Sequence, residues 1–282
     1  MQTAEIDLVT FAPAQLAGAL ALSRQAAWPH RLEDWRMALA LSQGVAALDA
    51  TSRVVGTALV TPYAGCATIN MVIVDETMRG QGLGRRLMDQ ALALAGDQPL
   101  RLVATREGLP LYEKLGFREV GTVAQHQGIV PAVAAPAGIE DARGDDLAAI
   151  AALDRAAFGA DRARLLDWLA THGRFAVARQ DGAVTGYAVL REFGRGEVIG
   201  PVVAPDAATA QALLAHFLAQ RKGAFLRVDT TAEAGLSPWL VAHGLAQIGG
   251  GVVMHRPAPA PAPATAEAAP PRIFALANQA LG

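Results

Sequence analysis

With 282 residues, 52% of them hydrophobic, the chain has material for more than one buried core. A formal net charge of −2 excludes the global electrostatic pull expected of a nucleic-acid or anionic-membrane binder. The single cysteine, Cys66, has no partner for an internal disulfide and reads as a small buried residue. No apolar run reaches membrane-spanning length, and MQTAEIDLVTF lacks the basic-then-apolar order of a signal peptide, so a cytoplasmic protein is expected.

In chain order, Ile6–Phe11 predicts a short strand, Pro13 opens a helix reaching about Ala27, and a second helix runs from Leu32 to Ser42. Two strands, Gly44–Asp49 and Val54–Pro62, flank the polar turn DATSR. Ala67–Val74 is a largely apolar strand, suited to burial on both faces. After a glycine-rich turn, Leu83, Leu87, Ala91 and Leu94 mark one face of a helix. Leu100–Ala104 (strand), Leu109–Leu115 (helix) and Gly121–His126 (strand) complete the first half. GIVPAVAAPAG, at 128–138, reads as a connector. The same order then begins again: strand Ile139–Asp141, helices Asp145–Phe158 and Arg162–His172, and strands Phe175–Arg179, Val184–Arg191 and Gly196–Val203. Helix Asp206–Ala219, strand Ala224–Asp229, helix Ser237–His243 and strand Ala246–Met254 follow. Pro257–Pro271 is low-complexity, and RIFALANQALG regains apolar residues, as a tail that docks back on the body does.

The turn RGQGLG, between a strand and a helix, carries the chemistry. Gly80, Gly82 and Gly84 allow close backbone approach to a ligand, the helix N-terminus favours anions, and Arg79, Arg85 and Arg86 add positive charge. Two phosphate-binding patterns fail. The third glycine of a dinucleotide fingerprint falls on Arg85, and a Walker loop needs a Lys followed by Ser or Thr. The pattern [Arg/Gln]-x-x-Gly-x-[Gly/Ala] fits Arg79–Gly84 at each fixed position.

VIVDETMRGQGLGRRLMDQAL thereby resembles the acetyl-CoA motif of the Gcn5-related N-acetyltransferase (GNAT) superfamily, and ATREGLPLYEKLGF resembles the downstream motif of the same family. The resemblance implies an α/β fold whose mixed, mostly antiparallel sheet is flanked by helices, and acetyl-CoA as acyl donor. It implies that Val72, Ile73 and Val74 pair with the pantetheine arm, and that Arg79, Gly80, Gln81, Gly82, Leu83, Gly84 and Arg85 hold the pyrophosphate. Tyr112 would stand near the sulfur and protonate the leaving thiolate. A main-chain N–H near Val74 would stabilise the oxyanion. Thr105 stands where many members carry a cofactor-contacting Asn.

In the second half EVIGPVVAPDAATAQALL occupies the matching junction without a glycine loop. Asp206 there reads as a helix N-cap that would repel pyrophosphate. GYAVLREFGRGEVIGPVVAPD, FLRVDT and WLVAHGL resemble the degenerate C-terminal module of tandem GNAT proteins. The expected organisation is therefore a catalytic domain at 1–127, a linker at 128–138 and a degenerate copy at 139–282, with one cofactor site and a monomer or homodimer. The acceptor is expected against Trp28, His30 and Asp34 of the first half and Tyr187, Arg191 and Arg227 of the second. The two arginines would suit an amino-acid-like carboxylate. No metal site and no nucleic-acid partner are expected. No general base stands out. Asp75 and Glu76 lie at the phosphate end, Asn70 could at most orient a water, and Glu33, Asp34 and His126 qualify only if the fold turns them inward. The leading expectation is an N-acetyltransferase acting on a small polar amine by direct attack in a ternary complex. The alternatives are a non-catalytic acyl-CoA-binding regulator and a protein N-terminal or lysine acetyltransferase.

Overall fold

The alternating strands of both halves are used in one sheet. The computed structural model describes residues 6–258 and 271–282. The first half contributes β1 (Asp7–Thr10), α1 (Leu16–Gln25), α2 (Leu32–Leu41), β2 (Gln43–Leu48), β3 (Val54–Tyr63), β4 (Cys66–Val74), α3 (Leu83–Ala95), β5 (Leu100–Ala104), α4 (Leu109–Lys114) and β6 (Arg118–Ile129). The second contributes β7 (Ile139–Asp141), α5 (Leu147–Phe158), α6 (Ala163–His172), β8 (Gly173–Gln180), β9 (Ala183–Phe193), β10 (Gly196–Ala204), α7 (Ala207–Ala219), β11 (Phe225–Thr231), α8 (Ser237–Ala242), β12 (Ala246–Arg256) and β13 (Arg272–Ala275). Gly128 and Ile129, expected in a connector, belong to β6 because β11 offers them a partner: Ile129 pairs with Phe225 and Gly128 with Leu226. Of the Pro/Ala stretch, 259–270 lies outside the described residues.

The sheet runs β1-β2-β3-β4-β5-β12-β6-β11-β13-β10-β9-β8-β7. Its centre is an exchange. β12, from the second half, lies between β5 and β6 of the first, while β6 lies between β12 and β11 of the second. Each half thus completes the other's sheet, and neither presents a bare edge at the join.

Alternation places helices on both faces. Val45, Ala47, Ala67, Ile69, Leu100 and Leu102 meet Leu83, Leu87 and Met88 of α3. Ala46, Leu59, Met71 and Ile73 meet Ala19, Leu22, Trp35 and Ala38 of α1 and α2 on the other face. A further core joins the halves: Met37, Leu41, Tyr63 and Cys66 pack with Phe158, Leu165, Leu169 and Tyr187. Cys66 is 1% exposed, and burial raises its thiol pKa, in keeping with a packing residue.

Candidate acyl-transfer site at the first fork

β4 and β5 run parallel for only two pairs, Ala67–Leu100 and Thr68–Arg101, and then part into a fork. β4 bends at this point. Ile69 and Met71 would share a face in a regular strand, yet Ile69 packs under α3 and Met71 under α1 and α2. The pairing with β3 slips between Thr57 and Leu59, Met71 adopts φ +49°, and Thr57 Oγ1 donates to the Met71 carbonyl at 2.7 Å. The bulge leaves Val72, Ile73 and Val74 on the arm of β4 beyond the last β5 pair.

The turn after β4 is built for an anion. Asp75 accepts from Thr77 N–H at 2.9 Å and turns the chain, and Gly80 and Gly82 follow at φ +74° and +79°. A side chain at either glycine would meet open space, so their conformation, not crowding, calls for glycine. Gly82 is the N-cap of α3 and supplies no capping side chain, and Arg86 N–H to Gly82 O, at 3.2 Å, opens the helical bonding. The amides before Arg86 therefore have no acceptor within the helix. Arg79, Gln81 and Arg85 are exposed around them, while Leu83 is buried and anchors the helix. This fits the pyrophosphate of a coenzyme A thioester. Thr105 is exposed just past β5, where its carbonyl accepts from Gly108 N–H at 3.0 Å. Tyr112, on α4, is buried against Phe117, and burial pushes its hydroxyl pKa up to about 12, so it holds its proton at neutral pH.

At the base of the fork lies a cavity of about 170 Å³. Thr68, Arg101 and Val103 line it from the first half; Phe158, Val253, His255 and Gln279 come from the second. Two buried oxygens on the same stretch of β4, Thr68 Oγ1 and Asn70 Oδ1, have no hydrogen-bond partner. Pattern reading did not single out Arg101, His255 or Gln279. His255 reaches the first fork only because β12 crosses from the second half.

The residues expected to hold the acceptor are placed differently. Trp28, His30, Asp34, Arg191 and Arg227 do gather across the halves, but under the second fork, and none lines the cavity. His30 lies edge-on to Trp28 and Phe193, and Arg191 and Arg227 lie over the same Phe193 ring at 4.9 and 5.2 Å. Burial pushes the His30 pKa down to about 4. Asp34 spends its oxygens on Arg31 and on the Gly194 N–H at 3.0 Å, a clasp between the halves. Arg227 is held by Asp229 at 2.9 and 3.0 Å. Tyr187 is remote from this cluster: it is fully buried and donates to Asp154, which also pairs with buried Arg162. His126 is tied at both nitrogens, to Leu245 O at 2.9 Å and Ser237 Oγ at 3.0 Å, and Glu33 is exposed beside Arg36. Among the described residues no cluster of His, Cys, Asp and Glu could hold a metal.

The second fork repeats the first and is filled. β10 and β11 pair in parallel at Glu197–Leu226 and Val198–Arg227, then part. β13 lies in the gap, pairing Ala275 with Val202, Ile273 with Val203 and Arg272 with Ala204. Aligning the forks on their parallel pairs sets Val202, Val203 and Ala204 on Val72, Ile73 and Val74. Thr230 Oγ1 donates to Phe274 O at 2.6 Å, and Leu276 N–H to Asp229 O at 2.8 Å. The tail expected to dock on the body docks here.

Profiles of the acetyltransferase (GNAT) domain match residues 42–119 and 150–267. The uncharacterized N-acetyltransferase YitH of Bacillus subtilis (strain 168) is 30% identical over 235 residues, covering 80% of this chain and 83% of its own. A crystal structure from Pyrococcus horikoshii shares the fold over 100% of this chain and 98% of its own, at TM-score 0.80 and 16% identity. A tandem GNAT protein from the clavulanic acid biosynthesis pathway does so over 92% and 100%, at TM-score 0.60 and 16% identity. No helix among the described residues is long and apolar enough to cross a membrane. With the fork, the glycine turn and the repeat of both in one chain, these matches make the protein a member of the GNAT N-acetyltransferase family, built as a tandem of two copies.

Proposed function

We propose that the first copy transfers an acetyl group from acetyl-CoA to the amine of a small polar acceptor, by direct attack in a ternary complex. The observation that carries this reading is the open first fork, which ends in a cavity of about 170 Å³ walled by the second half. A recess of that size suits a small molecule better than a protein chain. Acetyl-CoA is the second substrate of this reaction, not a resident cofactor. The amides from Gly80 to Arg85, with Arg79, would hold its pyrophosphate, and Val72, Ile73, Val74 and Thr105 its arm. That β13 already pairs with the equivalent stretch of the second fork supports the assignment to β4.

Tyr112 is the proton donor to the leaving sulfur. Its raised pKa keeps the hydroxyl protonated until a thiolate forms beside it. Arg101 gives the cavity one positive charge, which suits an acceptor bearing a carboxylate, as an amino acid does. The cluster of Arg191 and Arg227 would act one layer away, setting the tail that closes the cavity: Arg191 donates to Ala277 O at 3.1 Å. An effector held in the second fork, as a purely regulatory protein would need, competes with β13 for that gap. The test is release of free coenzyme A from acetyl-CoA across small amines, amino acids, polyamines and peptides. Turnover with a small amine, lost in Gly82→Asp, supports the reading. Acetyl-CoA binding without turnover of any amine favours the regulatory alternative, and turnover with peptides alone favours a protein acetyltransferase.

A further inference from the structure

The reaction needs a group that removes a proton from the acceptor, because an ammonium has no lone pair to attack with. Three carboxylates near the first fork are engaged, Asp75 with Arg53 and Thr77, Asp229 with Arg227 and Asp154 with Arg162, while Glu76, Glu107 and Glu233 are exposed at its rim. Among the described residues, no carboxylate side chain lines the cavity. Five of the six histidines are also engaged: His30 with Ser23, His126 with Leu245 and Ser237, His172 with Trp168, His216 with Asp141, and His243 with Trp239. Among the described residues, His255 is the one histidine with no hydrogen-bonding protein partner, and it lines the cavity. It stands in register with Arg101 on β5, so their side chains share the face of the sheet on which the cavity lies.

We infer that His255, carried into the first fork by the exchanged strand β12, is the general base of the acetyl transfer. This inference rests on the acetyl-transfer reading above. Neutral His255 takes one proton from the ammonium. The freed nitrogen lone pair forms the C–N bond to the acetyl carbonyl carbon, and the C–S bond breaks with its electron pair on sulfur. Tyr112 protonates that sulfur and is reprotonated by the second proton leaving the nitrogen as it becomes an amide. His255 returns its proton to solvent, so acetyl-CoA and an ammonium become an amide, free coenzyme A and one solvent proton.

The surroundings keep the imidazole in its base form. Burial, and then the charge of Arg101, hold its pKa below the ordinary 6.5. The other charged residue in register is Arg118 on β6, Glu233 lies against Gly121 on the same strand, and the side chains lining the cavity from β4, α5 and the tail are uncharged. The His255 term in the rate is thus present at neutral pH and is lost only as the pH falls through a pKa below the ordinary 6.5.

The test compares wild type with His255→Gln, using whichever amine of the panel turns over, at saturating acetyl-CoA across pH 5 to 9. The expected result is a fall in kcat of about 100-fold or more, with acetyl-CoA affinity and melting temperature unchanged. The acid limb of the wild-type profile should also vanish in the variant. A merely structural role would not remove that limb. In the wild type, the titration of His255 followed by NMR should coincide with the limb, which tests the assignment without any variant. Wild-type turnover and pH profile in His255→Gln, or a titration that misses the limb, would overturn the inference and leave the acetyl-transfer reading standing. Absence of turnover by wild type that has bound acetyl-CoA would overturn both.

Discussion

At the first fork, helix α3 begins on Gly82 with no capping side chain; at the second, α7 begins on Asp206, which accepts from Thr209 N–H at 2.8 Å. Among the described residues no strand enters the gap between β4 and β5, whereas β13 fills the gap between β10 and β11. A helix N-terminus and a split sheet both leave backbone groups needing partners. The second copy satisfies them with its own carboxylate and its own strand. In the first, the helix start has no capping side chain. The two copies are also joined: the tail that fills the second fork supplies Leu276 and Gln279 to the cavity of the first, and under the proposed function one copy would be catalytic and the other structural.

The strongest way to break this contrast is to make the first fork resemble the second. Gly82→Asp puts a carboxylate at the N-cap of α3, and acetyl-CoA affinity measured by calorimetry should fall about 100-fold, since the new charge takes the place of phosphate and repels it. Asp tolerates positive φ better than most residues, so the fold should survive. Unchanged affinity would remove the glycine turn from the cofactor site. The next effect belongs to Tyr112→Phe. Its kcat should drop about 100-fold with little change in KM, because only a proton donor is lost; an equal loss in KM would point to packing instead.

A smaller effect is expected from the shared tail. Leu276→Ala widens the cavity, and relative kcat/KM should shift about tenfold toward bulkier amines while acetyl-CoA affinity stays constant. No shift would separate the tail from acceptor selection. Asp206→Ala should change least: about 1 kcal/mol of stability, seen as a lower melting temperature. Calorimetry should still find one acetyl-CoA per chain, because β13 occupies the fork. A second binding event would show that the cap, and not the tail, had closed the site.

Much of the fold was legible because its signals are local. Asp206 was recognisable as a cap from its place before an apolar helix, and RGQGLG from its alternating glycines, of which Gly80 and Gly82 do adopt positive φ. Leu100–Ala104 and Ile139–Asp141 have the predicted bounds. The acceptor side was less legible. Of Trp28, His30, Asp34, Tyr187, Arg191 and Arg227, expected together, all but Tyr187 gather, but alternation in β9 and β11 says which face a residue takes, not which fork lies beneath it. The return of apolar residues after the Pro/Ala stretch did signal a docked tail, without naming its berth.

The sequence by itself determined the repeated strand and helix order, the anion-ready turn at Arg79–Gly84 and the absence of such a turn in the second half, since each depends on residues adjacent in the chain. Only the tertiary structure decided that β12 and β6 change places, that β13 fills the second fork, and that Arg101, His255 and Gln279 meet in one cavity. A strand offers the same N–H and C=O groups whatever its partner. Which strand lies beside which is settled by the joint burial of both faces of the sheet, a property of the whole chain and not of any stretch within it.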